Sequence, residues 1–238
     1  MPEQTLCNHP SATATDRGGP PPTPVERHAL ATLREAARGC LETARGSHAW
    51  DHTLRVHALC RRMGLRAAAD MVVLEAAAYL HDIGRAAQDT ANGSVCHAVE
   101  GARQAGDLLA PLPLAEARKA NIVHCIRSHR FRDDHAPATV EARVLFDADK
   151  LDAIGAVGVA RAYLFAGELG ARLHNSDLPP EKSRPYSRDD TGYREYMVKL
   201  RAIKDRMLTE EGRRLAEQRH AFMVHFFERF LKEYAGEC

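Results

Sequence analysis

One stretch of the chain constrains its fold more than any other. Residues 70–83 read DMVVLEAAAYLHDI and are apolar on nearly every side. A helix of this kind lies in the middle of a domain rather than on its surface. Its last turn nevertheless carries His81 and Asp82, and a carboxylate in apolar surroundings is costly unless a partner compensates it. The stretch therefore predicts a central helix that ends at a polar site.

Helical patterns cover most of the remaining chain. Residues 1–24 include the breaker run GGPPP with almost nothing apolar nearby, which predicts a disordered N-terminal tail. Convincing strand patterns are missing, and helix-spaced apolar residues recur in segments 25–45, 50–63, 97–110, 114–129 and 140–167. We therefore predict an all-α chain, in which residues 25–238 form a single helical domain.

The C-terminal part is expected to pack on this bundle. Three prolines within residues 179–185 predict a loop, and residues 189–235 predict a long charged amphipathic helix or a pair of helices. Met223, Phe226, Phe227 and Phe230 follow the helical spacing i, i+3, i+4 and i+7. This apolar stripe is expected in the core or at a homodimer contact.

Charge and hydropathy exclude several classes of function. Lys and Arg total 33 against 32 for Asp and Glu, so the formal charge is +1. This balance argues against a protein that grips a nucleic acid polymer or an anionic membrane by bulk charge. No apolar run approaches the ~20 residues of a membrane span, and the first residues lack the pattern of a signal peptide. We therefore expect a cytoplasmic protein.

Histidines and aspartates recur in three of the predicted helices. His52 opens one helix, His81 and Asp82 end the central one, and residues 146–152 (FDADKLD) place three aspartates in a largely apolar helix. Buried carboxylates at this spacing repel one another unless a cation or protons intervene. A lone His-Asp pair is most often a capped helix end, but the three segments together indicate a divalent metal site.

The order His52, His81-Asp82, Asp149 resembles the H…HD…D motif of the HD-domain superfamily of metal-dependent phosphohydrolases. The resemblance is strongest to a bacterial subfamily of stand-alone HD hydrolases and is carried by SHAWDHTLRV at 47–56, HCIRSHRF at 124–131 and DADKLDAIG at 147–155. It spans roughly residues 47–234. It implies an HD-type helical bundle with a C-terminal helical extension and a metal site within residues 47–155.

The resemblance also implies the ligands and the ion. His52, His81, Asp82 and Asp149 would hold one divalent ion (Mn, Fe, Zn, Ni, Co or Mg) that activates water to attack phosphorus. Superfamily members with two ions use extra histidines between the HD pair and the last aspartate, so a second ion stays open.

Further site residues follow from the same motifs. Asp152 and Asp147 are expected to orient the ligands, and Asp152 has the better geometry because it lies on the same helical face as Asp149. His48, His97 and Glu100 are expected to line or support the site. The candidates for contact with substrate phosphate are Arg85, Lys150, His124, His129, Arg127 and Arg130. His124 and His129 point about 140° apart on one helix, so we do not expect them to share an ion there.

The function that follows is hydrolysis of phosphate ester or anhydride bonds in small nucleotides. Arg85 stands where some nucleotidase members carry an acidic residue, which weakens the transfer of that particular mechanism. One alternative is a cyclic-nucleotide or guanosine-alarmone hydrolase, although no attached sensor or synthetase domain is found. Another is a non-enzymatic nucleotide-binding regulator on an HD scaffold, although such a protein need not keep four ligands.

Overall fold

Helices are the only regular secondary structure in the described part of the chain. The computed structural model describes residues 20–41, 50–91, 93–130 and 135–237, and no strand occurs within these ranges. The predicted all-α class is therefore confirmed. The α-helices of the described residues are α1 (Pro24–Leu41), α2 (Trp50–Arg66), α3 (Met71–Leu80), α4 (Arg85–Thr90), α5 (His97–Leu109), α6 (Glu116–Ser128), α7 (Val140–Asp152), α8 (Gly155–Glu168), α9 (Gly192–Val198) and α10 (Glu210–Ala235), with 3₁₀ helices at Pro180–Lys182 and Leu200–Arg206.

The predicted N-terminal tail falls largely outside the described residues, because residues 1–19 are not among them. Helix α1 begins at Pro24. Proline is favoured in the first turn of a helix because its missing N–H has no partner there in any case.

Helix α3 lies at the centre of the molecule, as its apolar sequence predicts. It packs against α1, α2, α6 and α7. The side chain of Asp70 begins the helix, since its Oδ1 accepts hydrogen bonds from the amides of Val72 at 3.0 Å and Val73 at 3.3 Å. Because α3 is surrounded on all sides, its C-terminal end delivers His81 and Asp82 into the interior, where both are buried.

The predicted continuous helix over residues 140–167 is wrong, because a break separates α7 from α8. Gly155 adopts φ = 78°, a left-handed conformation that favours glycine, and helix α8 begins there. A Cβ at this position would also meet the side chain of Arg219 at 2.9 Å. As a result α7 ends at Asp152, which places Asp149 and Asp152 in its last turn.

The C-terminal extension consists of α9, the second 3₁₀ helix and α10. Helix α10 packs against α7 and α8, and its Met223 and Phe227 are buried in the same hydrophobic core as residues of α1 and α3. Phe226 and Phe230 pack against this core as partly buried residues. Across the described ranges, none of the helices has the length and apolar character needed to cross a membrane.

Candidate metal centre

Three helices bring the four predicted ligands together. His52 comes from the first turn of α2, His81 and Asp82 from the end of α3, and Asp149 from the last turn of α7. The Nε2 atom of His52 lies 3.3 Å from Nε2 of His81 and 3.5 Å from Oδ1 of Asp149. Asp82 Oδ2 is 3.7 Å from His52 Nε2 and 3.8 Å from His81 Nε2. His52, His81 and Asp149 form the first triad.

A second group of donors lies on the other side of Asp82. Its Oδ1 atom is 3.2 Å from His97 Nε2 and 3.7 Å from His129 Nε2. The two Nε2 atoms of His97 and His129 are 3.2 Å apart. Asp82, His97 and His129 form the second triad, and all three side chains are buried. The carboxylate of Asp82 therefore faces one histidine pair with each of its oxygens.

The second triad depends on a close approach between the backbone that follows α3 and the backbone of α5. Gly84 follows the His-Asp pair, and a Cβ added there would lie 2.3 Å from the carbonyl oxygen of His97 and 2.6 Å from the amide nitrogen of Gly101. Only glycine lets the turn after α3 pass this near to the first turns of α5. His129 reaches the same place as the C-terminal cap of α6.

The imidazoles are arranged as metal ligands usually are. The four Nδ1 atoms each face an oxygen: Asp152 Oδ2 at 2.8 Å from His52, Ala78 O at 2.9 Å from His81, Gln88 Oε1 at 2.7 Å from His97, and Ile126 O at 2.6 Å from His129. These oxygens accept hydrogen bonds, so each Nδ1 carries the proton and the neutral ring presents a lone pair at Nε2. Two lone pairs that face each other at 3.2–3.3 Å cannot form a hydrogen bond, whereas a divalent cation would satisfy both.

The protonation states of two of the histidines, His81 and His97, suit this donor set. Burial lowers the pKa of His81 to about 4 and that of His97 to about 4, which leaves both rings neutral near pH 7. Burial also opposes charge on His52, but hydrogen bonds with Asp149 and Asp152 outweigh it and raise its pKa. A proton on His52 would compete with a metal ion for the same Nε2 atom.

The carboxylates of both triads are ionised. Burial by itself would raise the pKa of Asp82, but its electrostatic interactions with the neighbouring His81 and Arg85 side chains hold it well below its usual range. Burial likewise opposes ionisation of Asp149, and Lys150 and His52 hold its pKa well below the usual range. The buried carboxylate of Asp82 and the partly exposed carboxylate of Asp149, beside four imidazoles, form a site whose chemistry fits one or more divalent cations.

Asp152 orients His52, in the place where sequence reasoning expected a supporting carboxylate. Besides its contact with His52, it accepts hydrogen bonds from Arg55 Nε at 2.7 Å, Arg55 Nη2 at 3.1 Å and Arg161 Nη1 at 2.8 Å. Burial opposes its charge, yet these contacts and His52 lower the pKa of Asp152 below its ordinary value. The two arginines thus keep Asp152 an anion and fix the ring that it holds.

Two of the predicted phosphate contacts lie at the rim of the site. Lys150 Nζ is 2.8 Å from Asp149 Oδ2, and Arg85 Nε is 3.2 Å from Asp82 Oδ1. Their side chains keep 17% and 19% of their surface exposed, so both cations stay accessible to solvent beside the carboxylates that they contact. Arg130 is close to the second triad, where its Nη1 lies 3.3 Å from Gln88 Oε1.

The structure places Asp147 away from both triads. Its Oδ1 accepts from the amide of Leu208 at 2.8 Å, and its Oδ2 accepts from the amide and hydroxyl of Thr209 at 2.7 and 2.6 Å. The prediction that Asp147 orients a metal ligand is therefore wrong. On α7 it points toward the beginning of α10, and its carboxylate attaches the C-terminal extension to the bundle.

Other predicted site residues also point elsewhere. Glu100 binds Arg103 and Gln104 on its own helix. His124 accepts a hydrogen bond from the amide of Ala138 at 3.0 Å, and Arg127 is exposed. Glu100 was expected to support the site and His124 to contact phosphate, but the hydrogen bonds of both side chains go to groups outside the triads. His48 lies outside the described residues.

Sequence reasoning missed residues whose position depends on the tertiary fold. Gln88 lies on α4, a short helix that the hydrophobic pattern does not reveal. Arg161 reaches Asp152 only because the chain breaks between α7 and α8. His97 and His129 were expected as supporting or substrate-binding residues rather than as members of a triad. The only feature of the sequence that pointed to a second triad was the presence of extra histidines between the His81-Asp82 pair and Asp149.

Comparison with known proteins identifies the family of the chain. The HD domain family model matches residues 49–154, a range that contains both triads. The curated protein YpgQ of Bacillus subtilis (strain 168), described as uncharacterized, is 32% identical in an alignment over 209 residues that covers 86% of this chain and 93% of YpgQ. The chain belongs to the HD-domain superfamily.

Solved structures of HD proteins share the fold over most of their length. The crystal structure of B. subtilis YpgQ superimposes with a TM-score of 0.70 at 28% identity and covers 90% of this chain and 100% of YpgQ. YpgQ in complex with ADP gives a TM-score of 0.68 at 27% identity, covering 88% and 96% of the two chains. An HD-superfamily hydrolase from Bacillus thuringiensis gives 0.69 at 26% identity, covering 88% and 98%.

Proposed function

We propose that this HD protein is a metal-dependent phosphohydrolase that acts on phosphate ester or anhydride bonds of small nucleotides and uses two divalent ions. The observation that carries the proposal is the shared carboxylate of Asp82, whose two oxygens face separate histidine pairs. His52, His81 and Asp149 would hold one ion, and His97 and His129 the other. A second ion therefore extends the single-ion site expected from the motif.

The residues around the ions would have separate roles in binding and hydrolysis. The chemistry supplied by a bound divalent ion is Lewis acidity, which makes water nucleophilic near neutral pH and offsets charge on a phosphate oxygen. Lys150 and Arg85 would donate hydrogen bonds to phosphate oxygens at the rim and stabilise the charge that develops there. Asp152 would keep the His52 lone pair aimed at the ion.

Nucleotides are the favoured substrates because of the relative that binds one. YpgQ has been crystallised with ADP, and its structure matches 88% of this chain. The partly exposed cations Lys150 and Arg85 suit one or two phosphate groups of a small molecule. A small phosphorylated substrate also agrees with the net charge of +1, which offers no extended surface for a polyanion.

The proposal is tested by a nucleotide screen with a matched pair of aspartate variants. The protein is loaded with Mn²⁺ and assayed with nucleoside mono-, di- and triphosphates, cyclic nucleotides and guanosine alarmones. Release of phosphate, pyrophosphate or nucleoside monophosphate is measured. Asp82→Asn keeps the size of the side chain but removes an anionic ligand, and it is expected to abolish turnover. Asp89→Asn makes the same change at an exposed aspartate on α4 and should leave turnover intact.

Each other outcome points to a different function. Activity that survives Asp82→Asn would refute the proposed site. Binding of Mn²⁺ and nucleotide without turnover of any phosphate compound would favour the nucleotide-binding regulator. Turnover confined to cyclic nucleotides or guanosine alarmones would replace the proposed substrates with those of the other alternative.

A further inference from the structure

The four histidines differ in what fixes their Nδ1 protons. His81 and His129 donate to backbone carbonyls, which no side-chain substitution removes. His52 donates to the carboxylate of Asp152, which two arginines hold in place. His97 donates to the side-chain amide of Gln88 at 2.7 Å. The second triad therefore includes one histidine whose orientation depends on a neutral side chain.

The amide of Gln88 has its own means of orientation. Arg130 Nη1 lies 3.3 Å from Gln88 Oε1 and 3.7 Å from the Sγ atom of Cys96. A guanidinium can only donate hydrogen bonds, so it selects the oxygen of the amide rather than its NH₂ group. The same oxygen accepts a hydrogen bond from the Nδ1–H group of His97. The proton therefore stays on Nδ1, and Nε2 keeps the lone pair that faces Asp82 and His129.

We infer that Gln88, with its amide oriented by Arg130, is the positioning residue that keeps His97 in its ligating tautomer and thereby controls occupancy of the second triad. An amide that presented NH₂ to His97 would favour the other tautomer, with the proton on Nε2 and no lone pair for a cation. This inference rests on the proposed second ion.

The two triads are therefore expected to differ in metal affinity and in how a change of Gln88 affects it. A carboxylate partner raises the basicity of the imidazole that it orients, whereas a neutral amide does so less. The ion held by His52, His81 and Asp149 is expected to bind more tightly, and the ion of the second triad more weakly. Gln88 affects only the weaker site, because it touches His97 and neither His52 nor His81.

The experiment is a calorimetric titration of Mn²⁺ into metal-free protein at fixed pH, with electron paramagnetic resonance to detect coupled Mn²⁺ pairs. In Gln88→Leu the weaker dissociation constant should rise roughly 10- to 100-fold and the coupled signal should fade, while the tighter constant changes by less than about threefold. Gln88→Glu restores an oxygen acceptor and should retain the second ion. Gln218→Leu removes an exposed glutamine on α10 and serves as the matched control.

The outcomes separate this inference from the proposed function. Wild-type protein that binds a single ion would refute the proposed second ion itself. Two ions bound equally well by wild-type protein and Gln88→Leu would overturn the inference and leave the proposed function standing. A loss in Gln88→Glu as large as in Gln88→Leu would also overturn it, as would an equal weakening of both ions, provided that circular dichroism shows folded protein.

Discussion

Replacement of Asp152 tests how the first triad is held. Its Oδ1 accepts from Arg55 Nε, and its Oδ2 accepts from His52, Arg55 Nη2 and Arg161. In Asp152→Asn the amide oxygen is expected to take the Oδ2 position, because the opposite orientation would turn NH₂ toward three donors. His52 then stays oriented but loses its anionic partner, and the NH₂ group faces Arg55 Nε.

The expected losses follow from these contacts. Removal of an orienting partner costs about 10- to 100-fold in metal affinity. Asp152→Asn, which keeps the His52 contact, should lie near about tenfold, or about 1.4 kcal/mol. Asp152→Ala, which removes the partner, should approach about 100-fold. Folding stability should fall by about 2–4 kcal/mol in either variant, because two arginines lose a buried anion.

Calorimetric Mn²⁺ titration and urea unfolding measure these two effects. The weaker ion should be affected less than about threefold, since Asp152 lies outside the second triad. Asp51→Asn is the matched control: Asp51 also binds Arg55, at 2.6 Å, but its side chain is 65% exposed and its exposed ion pair contributes less than about 1 kcal/mol. Unchanged affinity in Asp152→Ala, or equal weakening of both ions, would refute the reasoning.

Three further changes test the fold around the centre. Gly84→Ala forces a Cβ to within 2.3 Å of the His97 carbonyl oxygen and should lower the free energy of unfolding in urea by about 1–3 kcal/mol. Gly106→Ala places its Cβ in open space and should not lower it. Equal stabilities of the two variants would contradict the close approach at Gly84. Asp147→Asn leaves a donor facing the start of α10 and should lose about 1–3 kcal/mol with Mn²⁺ stoichiometry unchanged; a lost ion would restore Asp147 to the metal site. The pKa of Asp152 is lowered on folding, because contacts with His52 and Arg55 outweigh burial, so its contribution to stability is present above the ordinary aspartate pKa of about 3.9 and is lost as the pH falls through the lowered value. Unfolding of metal-free protein followed from pH 6 downward should therefore show a steeper acid loss than Asp152→Ala, and parallel curves would contradict this linkage.

The sequence predicted the helical class and the meeting of His52, His81, Asp82 and Asp149 from local patterns and motif order. Because residues 70–83 are apolar on nearly every side, the helix that they form is expected in the interior, and its polar end with His81 and Asp82 is expected there too. The side chains that share a face of α7 could also be predicted in part. Asp152 was expected beside Asp149, and it lies there.

Other features depend on contacts between distant segments. Asp147 is only two residues from Asp149, yet its partner is the start of α10, 61 residues further along the chain. His97 and His129 meet across 32 residues because Gly84 admits α5. The division of the chain at Gly155 requires a positive φ that helical periodicity does not record. These placements follow from packing, which a single sequence does not show.

The central claim is that Asp82 serves two ions with its two oxygens, and anomalous diffraction from crystals grown with Mn²⁺ tests it most directly. The account predicts two manganese peaks, one among His52, His81 and Asp149 and the other between His97 and His129, with the Asp82 carboxylate between them. A single peak at the first triad, with Asp82 hydrogen-bonded to protonated His97 or His129, would contradict it.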